Sequence, residues 1–211
     1  MPTALETKMK DAVAELRATF ESGVTLPYKW REEQLKALEA MIKGHKKEIL
    51  AAIHKDLRKP EAEADITELA VAEHEVRDTL KHLHEWMQPE EVPTPAWLVP
   101  AKCELHRDPY GVVLVISPFN YPFQLAFTPL MNALAAGNCV LLKPSELTPS
   151  VAALLSRLLP AYLDRRAVHV VEGAVAETSA LLAQRWDLVF FTGSETVGRI
   201  VHQVGGEGGK E

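Results

Sequence analysis

The spacing of apolar residues changes along the chain, and the change divides it. Leu5, Met9, Ala12, Leu16 and Phe20 recur at helical intervals, which predicts an amphipathic helix ending at Ser22-Gly23. Trp30, Leu35, Leu38 and Ile42 predict a second helix from Pro27 to Gly44, and Ile49, Leu50, Ile53 and Leu57 a third that stops at Lys59-Pro60. Ile66, Leu69, Leu80, Leu83 and Met87 predict a longer fourth one. Glu61, Glu63 and Asp65 stand at its positive end, with Lys81 and His84 near the negative end. Stripes of this kind bury against a core, so residues 1–88 are expected to be packing helices without chemistry of their own.

Residues 89–110 read differently. Pro89, Pro93, Pro95 and Pro100 remove donors and fix φ, predicting a stiff extended linker. Weak alternation over 102–107, followed by Asp108-Pro109-Tyr110-Gly111 as a turn, predicts a hairpin arm at its end.

Beyond Gly111 the period shifts again. Val112, Val113, Leu114, Val115 and Ile116 form an unbroken β-branched run, too short for a core helix, which predicts a strand covered on both faces as in parallel sheets. Pro118 and Pro122 force an ordered turn before a helix that begins near Phe123 and ends at Gly137. Residues 139–142 then form a second buried strand stopped by Lys143-Pro144. The pattern repeats, with a helix from Thr148-Pro149 to Leu159, a strand at 168–171 ending at Glu172-Gly173, a helix at 176–185, a strand at 188–191 and a helix at 194–204. Strands alternating with helices make right-handed crossovers, so residues 111–204 are expected to be an α/β region built on a parallel sheet. Residues 205–211, GGEGGKE, lack side chains to pack and are expected to be a disordered tail.

In such sheets ligands bind outside the carboxyl ends of the strands, which locates the candidate chemistry. Asn120 offers a neutral amide donor that could stabilise a developing oxyanion in a dry crevice, an effect of about 3 kcal/mol in comparable sites. Taken alone, an Asn in such a turn more often serves turn geometry. Lys143 and Glu146 put a donor and an acceptor three residues apart, which suits the hydroxyls of a ribose, although a lone charged residue usually just ends a strand. Ser194 can cap the last helix while Gly193 lets the backbone approach a phosphate at the free amides of the first turn. The usual GxGxxG fingerprint does not follow the first strand.

Charge and composition narrow the classes. A net charge of -6 and a pI near 5.8 disfavour a nucleic-acid partner, and anionic membranes for the same reason. No apolar run approaches a membrane span and residues 1–10 hold no signal-like segment, so a cytoplasmic protein without a membrane partner is expected. Cys103 and Cys139 have neither metal-ligand nor CxxC spacing, and Cys139 reads as a small buried hydrophobe. His82 and His84 stand two apart and are expected to be solvated, and His45, His54, His74, His106, His169 and His202 show no chelating pair, so no metal is expected.

PFNYP at 118–122, AAGNCVLLKPSE at 135–146 and FFTGSETVG at 190–198, with their spacing, resemble the NAD(P)-dependent aldehyde dehydrogenase superfamily, most of all its class 3 branch. The resemblance runs from the first helix to about Arg199. It implies a Rossmann-like parallel sheet with flanking helices after an N-terminal helical region, an NAD(P)-dependent oxidoreductase and an aldehyde substrate. Asn120, with the backbone amide of a catalytic cysteine, would hold the thiohemiacetal oxygen. Lys143 and Glu146 would grip the adenosine ribose, and the loop at Gly193, Ser194, Val197 and Gly198 the pyrophosphate and adenine. Ser117, Pro118, Phe119, Ser145 and Gly173, at the other strand ends, complete the expected cofactor contacts. The Glu146 charge opposes a 2′-phosphate and favours NAD, while class 3 relatives also accept NADP. The arm would help form a homodimer in the complete enzyme.

The resembled family's nucleophilic Cys and general-base Glu fall beyond the match. Neither Cys103 nor Cys139 takes the nucleophile's place, and the EGGK at 207–210 lacks both the Leu and the preceding strand of the family's base segment. The expectation is therefore an NAD(P)-binding portion with the catalytic domain missing and without turnover of its own. The alternatives are a non-catalytic module that pairs through the edge at 188–191 with a full-length relative, and a superfamily enzyme that reduces acyl groups.

Overall fold

The computed structural model describes residues 3–208. Helix α1 (Ala4–Glu21) starts under a complete capping box, in which Thr3 Oγ1 accepts from the Glu6 amide at 3.2 Å and Glu6 Oε2 from the Thr3 amide at 2.6 Å. The second and third predicted helices are one, α2 (Tyr28–Leu57), kinked at His45 with φ -121° and ψ 16°. Gly44 therefore bends the helix without ending it. The His45 ring is clamped at the bend, with Nδ1 3.0 Å from Glu48 and Nε2 3.1 Å from the Tyr162 hydroxyl. His84 is exposed as expected, and it stands edge-on to the Tyr28 ring. His82 is only half-exposed, stacked on Trp86, which corrects its expected solvation.

The fourth predicted helix is continuous but not uniform. It runs as α3 (Glu61–Ala64), a π turn (Asp65–Leu69) and α4 (Ala70–Trp86). Such widened turns push one side chain out of the regular helical register, and here that turn carries the wholly buried Glu68.

The linker carries more structure than its prolines predict. Strand β1 (Glu90–Val92) pairs antiparallel with β2 (Cys103–Leu105), Val92 opposite Cys103, around a 3-10 turn at Ala96–Leu98. The arm exists, but its hairpin closes over residues 93–102 and not at the expected turn of 108–111. Pro93, Pro95 and Pro100 all fall in that closing loop, where no ladder bond is asked of them.

Strands β3 (Val112–Ile116), β4 (Cys139–Lys143), β5 (Val168–Val170) and β6 (Leu188–Phe191) form a parallel sheet in the order β5-β4-β3-β6. Every residue of β3 and β4 is buried, the reason their sequences show no alternation. Helices α5 (Gln124–Ala135), α6 (Pro149–Tyr162), α7 (Val175–Leu182) and α8 (Glu195–Gly208) connect and follow the strands. α5 and α6 are backed by α2, while α1 packs on β3, β4 and β5 and against α7. Helix α1 is thus part of the layer that covers the sheet. The backbone of α8 stays helical through Gly208, so four of the residues expected in a disordered tail continue the helix, and 209–211 lie outside the described residues. No helix among the described residues is long and apolar enough to cross a membrane.

From β3 the chain steps outward to β4 and β5, then returns to lay β6 on the other side of β3. Right-handed crossovers in opposite directions put the connecting helices on opposite faces, so the strand order reverses between β3 and β6. In open α/β sheets ligands bind at such a reversal.

Candidate functional site at the carboxyl ends of the strands

Register brings the candidate residues to one rim. Ile116 lies opposite both Lys143 and Phe191, so the chain leaves β3, β4 and β6 at one level. The Ser117 amide donates to the Lys143 carbonyl at 3.2 Å and the Thr192 amide to that of Ile116 at 3.1 Å, extending the ladder into the loops. The Val171 amide reaches the Leu142 carbonyl at 2.9 Å, which places Gly173 past the end of β5 at the same edge. Residues spread over eighty positions of sequence begin from neighbouring points in space.

After β3, Ser117 is buried and its hydroxyl has no hydrogen-bond partner among the described residues, an unspent donor in a polar loop. Pro118 is half-buried, while Phe119 and Asn120 are exposed. Asn120 thus stands with its side chain open to solvent among the described residues. Its backbone is nonetheless held, because the Lys59 ammonium donates to the Asn120 carbonyl at 3.2 Å.

After β4, Lys143 is only 3% exposed and its ammonium lies 3.0 Å from Glu146 Oε2. Glu146 is exposed, and its own backbone amide, followed by Lys143, holds its carboxyl below the ordinary carboxylate range. The acceptor is thus an anion at neutral pH, already paired with its donor. Ser145 Oγ accepts from the Leu147 amide at 3.3 Å and closes the turn that carries Glu146.

After β5, Gly173 has φ +153°, and a Cβ there would lie 2.3 Å from the Glu177 side chain. Glu177 Oε2 accepts from the Ala174 amide at 2.8 Å, and its carboxyl is held low first by its own amide and that of Ala174, with the Lys143 charge adding to the effect. Glu177 therefore belongs to this rim. Its place three residues after Ala174 matches half a capping box, but Ala offers no side-chain oxygen to complete the signature.

After β6, Gly193, Ser194 and Val197 are exposed and Gly198 half-buried. Ser194 Oγ accepts from the Val197 amide at 3.4 Å, the expected cap of α8. The Phe191 ring folds under the turn, and a Cβ on Gly193 would meet it at 2.4 Å. A larger residue there would have to displace the ring. Helix α8 follows β6 at this rim, and a helix start carries positive partial charge.

Lys59 and Glu68 were invisible in the sequence. Glu68 Oε1 accepts from Lys59 Nζ at 2.6 Å, and its Oε2 from the Phe123 amide at 2.9 Å, 55 residues away. No local pattern marks so distant a partner.

The two thiols lie elsewhere. Cys139 is buried inside β4, which pushes its pKa up to about 12, and Cys103 belongs to the arm strand β2. A thiol so desolvated yields almost no thiolate at neutral pH.

The reversed strand order, with a polar loop on each side of the reversal, defines an α/β protein of Rossmann type. The chain belongs to the aldehyde dehydrogenase family, whose model, described as the "Aldehyde dehydrogenase family", matches residues 1–211. Aldehyde dehydrogenase family 3 member H1 from Arabidopsis thaliana is 50% identical over 189 residues, 90% of this chain and 39% of that protein. The "Aldehyde dehydrogenase, dimeric NADP-preferring" of Canis lupus familiaris is 40% identical over 194 residues, 92% of this chain and 43% of that one. The structure described as the "Substrate bound state of Staphylococcus Aureus AldH" superimposes with a TM-score of 0.92 at 42% identity, over 94% of this chain and 43% of that chain. The chain thus spans about two fifths of the length of these relatives, corresponding to their N-terminal portion. Family members act on aldehydes and depend on NAD(P).

Proposed function

We propose that these residues form the NAD(P)-binding part of an aldehyde dehydrogenase that oxidises aldehydes to carboxylic acids when complete. The observation that carries this reading is the common rim, with a buried ammonium 3.0 Å from an exposed carboxylate at its centre. A vicinal diol donates to a carboxylate and accepts from an ammonium, so Lys143 and Glu146 would hold the adenosine ribose. The Ser194-capped turn, with Gly193, Val197 and Gly198, would receive the pyrophosphate and adenine, and Ser117, Pro118, Phe119, Ser145 and Gly173 would line the remaining contacts. The Ser117 hydroxyl, without a partner among the described residues, fits a ligand of that polarity, as does the positive end of a helix. The cofactor, when bound, supplies the hydride acceptor; this chain supplies the grip and, at Asn120, the oxyanion donor. An ionised Glu146 repels a 2′-phosphate, which supports NAD over NADP.

Turnover is not expected of these residues alone, because one thiol is locked in β4 and the other stands on the arm. In the complete enzyme the arm, with Trp97 83% exposed at its tip, would pack in the dimer contact.

Calorimetric titration with NAD tests the reading. The parent chain is expected to bind, Lys143→Ala to bind at least about tenfold more weakly through loss of a charge-assisted hydrogen bond, and Glu146→Ala to narrow the gap between NAD and NADP. Equal NAD affinity in the parent and Lys143→Ala overturns the ribose assignment.

A further inference from the structure

Both ends of the Asn120 turn are fastened by a pair of residues from the helical region, outside the sheet. The Lys59 side chain is 9% exposed, that of Glu68 0%, and they meet at 2.6 Å. Lys59 Nζ donates on to the Asn120 carbonyl and sits 4.2 Å from the centre of the Tyr121 ring, capping its face. Glu68 Oε2 accepts from the amides of Phe123 at 2.9 Å and Gln124 at 3.4 Å, the unsatisfied donors at the start of α5. Helix α5 has no side-chain cap of its own, and Glu68 arrives on the one widened turn of the helix that bears it. The turn is gripped at residue 120 by a cation and at residues 123–124 by an anion, and the two charges neutralise each other.

We propose that Lys59 and Glu68 are positioning residues for Asn120: the pair fixes the backbone on both sides of the turn, so that the exposed carboxamide keeps one direction without a wall to lean on. The chemical purpose of that direction rests on the oxyanion role given to Asn120 above. The mechanical statement does not.

A buried ion pair is costly to break from one side, since removal of either partner leaves an uncompensated charge. The test therefore uses paired substitutions. In Lys59→Met/Glu68→Gln the amide oxygen still accepts from Phe123 while the Asn120 carbonyl loses its donor; in Lys59→Met/Glu68→Met both ends are released. Nuclear magnetic resonance of the 211-residue chain, without cofactor, follows the Asn120 side-chain amide lines, assigned by Asn120→Asp, and amide exchange along 119–124. The first variant is expected to move the Asn120 lines toward the positions of a mobile Asn while Phe123 keeps its protection. The second is expected also to speed exchange at Phe123 and Gln124 by at least about tenfold, the loss expected for hydrogen bonds to a charged acceptor. Amides of β3 and β4 are expected to keep parent protection in both. Unmoved Asn120 lines in the two variants overturn the proposal. So does loss of protection spread evenly over the sheet, or failure of both variants to fold, since the pair would then sustain the fold and not the turn. Because no cofactor is present, failure of the parent to bind NAD in the separate titration would sink the functional reading and leave this result standing.

Discussion

Gly137 shows how much a single residue can be asked to do. It ends α5 with φ +91°, and a Cβ there would lie 2.5 Å from the guanidinium of Arg31. Arg31 is buried, with its pKa drawn down by desolvation, and donates to the carbonyls of Thr25 at 3.2 Å and Ala135 at 3.3 Å. Its charge thus meets the negative end of α5. Gly137→Ala is expected to destabilise by about 2 kcal/mol or more, from backbone strain and displacement of that guanidinium together. Urea denaturation checks it, and a cost below about 0.5 kcal/mol, the range of surface substitutions, would refute the crowding. The glycine was legible in the sequence as a helix terminator, because positive φ is a local requirement. Arg31 was not, since its partners come from two other places in the chain.

Among the elements, α5 and α6 share a device. Neither helix has a side-chain cap from its own sequence. Glu68 serves α5; Asp56, near the end of α2, serves α6, its Oδ1 accepting from the Ser150 amide at 3.1 Å and its Oδ2 from that of Val151 at 2.9 Å. Thr148 stands at the expected cap position, but its hydroxyl donates to the Ser145 carbonyl at 3.4 Å. Proline at the start of α6 was readable, because a missing donor and a fixed φ act locally. The true cap was not, because it is delivered across a helix–helix contact. Asp56→Ala is expected to cost about 1 kcal/mol, the usual loss of a helix cap. Chemical denaturation measures it; an unchanged midpoint would show the amides to be satisfied otherwise. Residues 1–88 were expected to be packing without chemistry, yet Lys59 and Glu68 reach the rim from there.

The assembled sheet leaves one flank open. β6 pairs with β3 alone among the described residues, and Phe190 at 44% exposure, with Leu188, Val197 and Ile200, presents apolar surface along that flank. An unpaired edge with such neighbours invites another strand. Sedimentation of the chain at rising concentration is expected to show self-association that Phe190→Lys reduces, and a monomer throughout would dismiss the edge as a contact. Exchange into a mixed dimer with a full-length relative would instead favour the interaction module over the cofactor-binding part.

What the sequence determined by itself was the type and order of the sheet elements, the strand ends and the glycine turns, because buried runs, proline and positive φ are set by neighbours along the chain. Tertiary structure decided which strand lies beside which, and hence which loops meet at one rim. It also decided that Lys59, Glu68, Asp56 and Arg31 fasten the loops and helix ends. A buried charge or an orphaned amide is satisfied by whatever the packing brings within about 3 Å, and that distance has no counterpart in sequence separation.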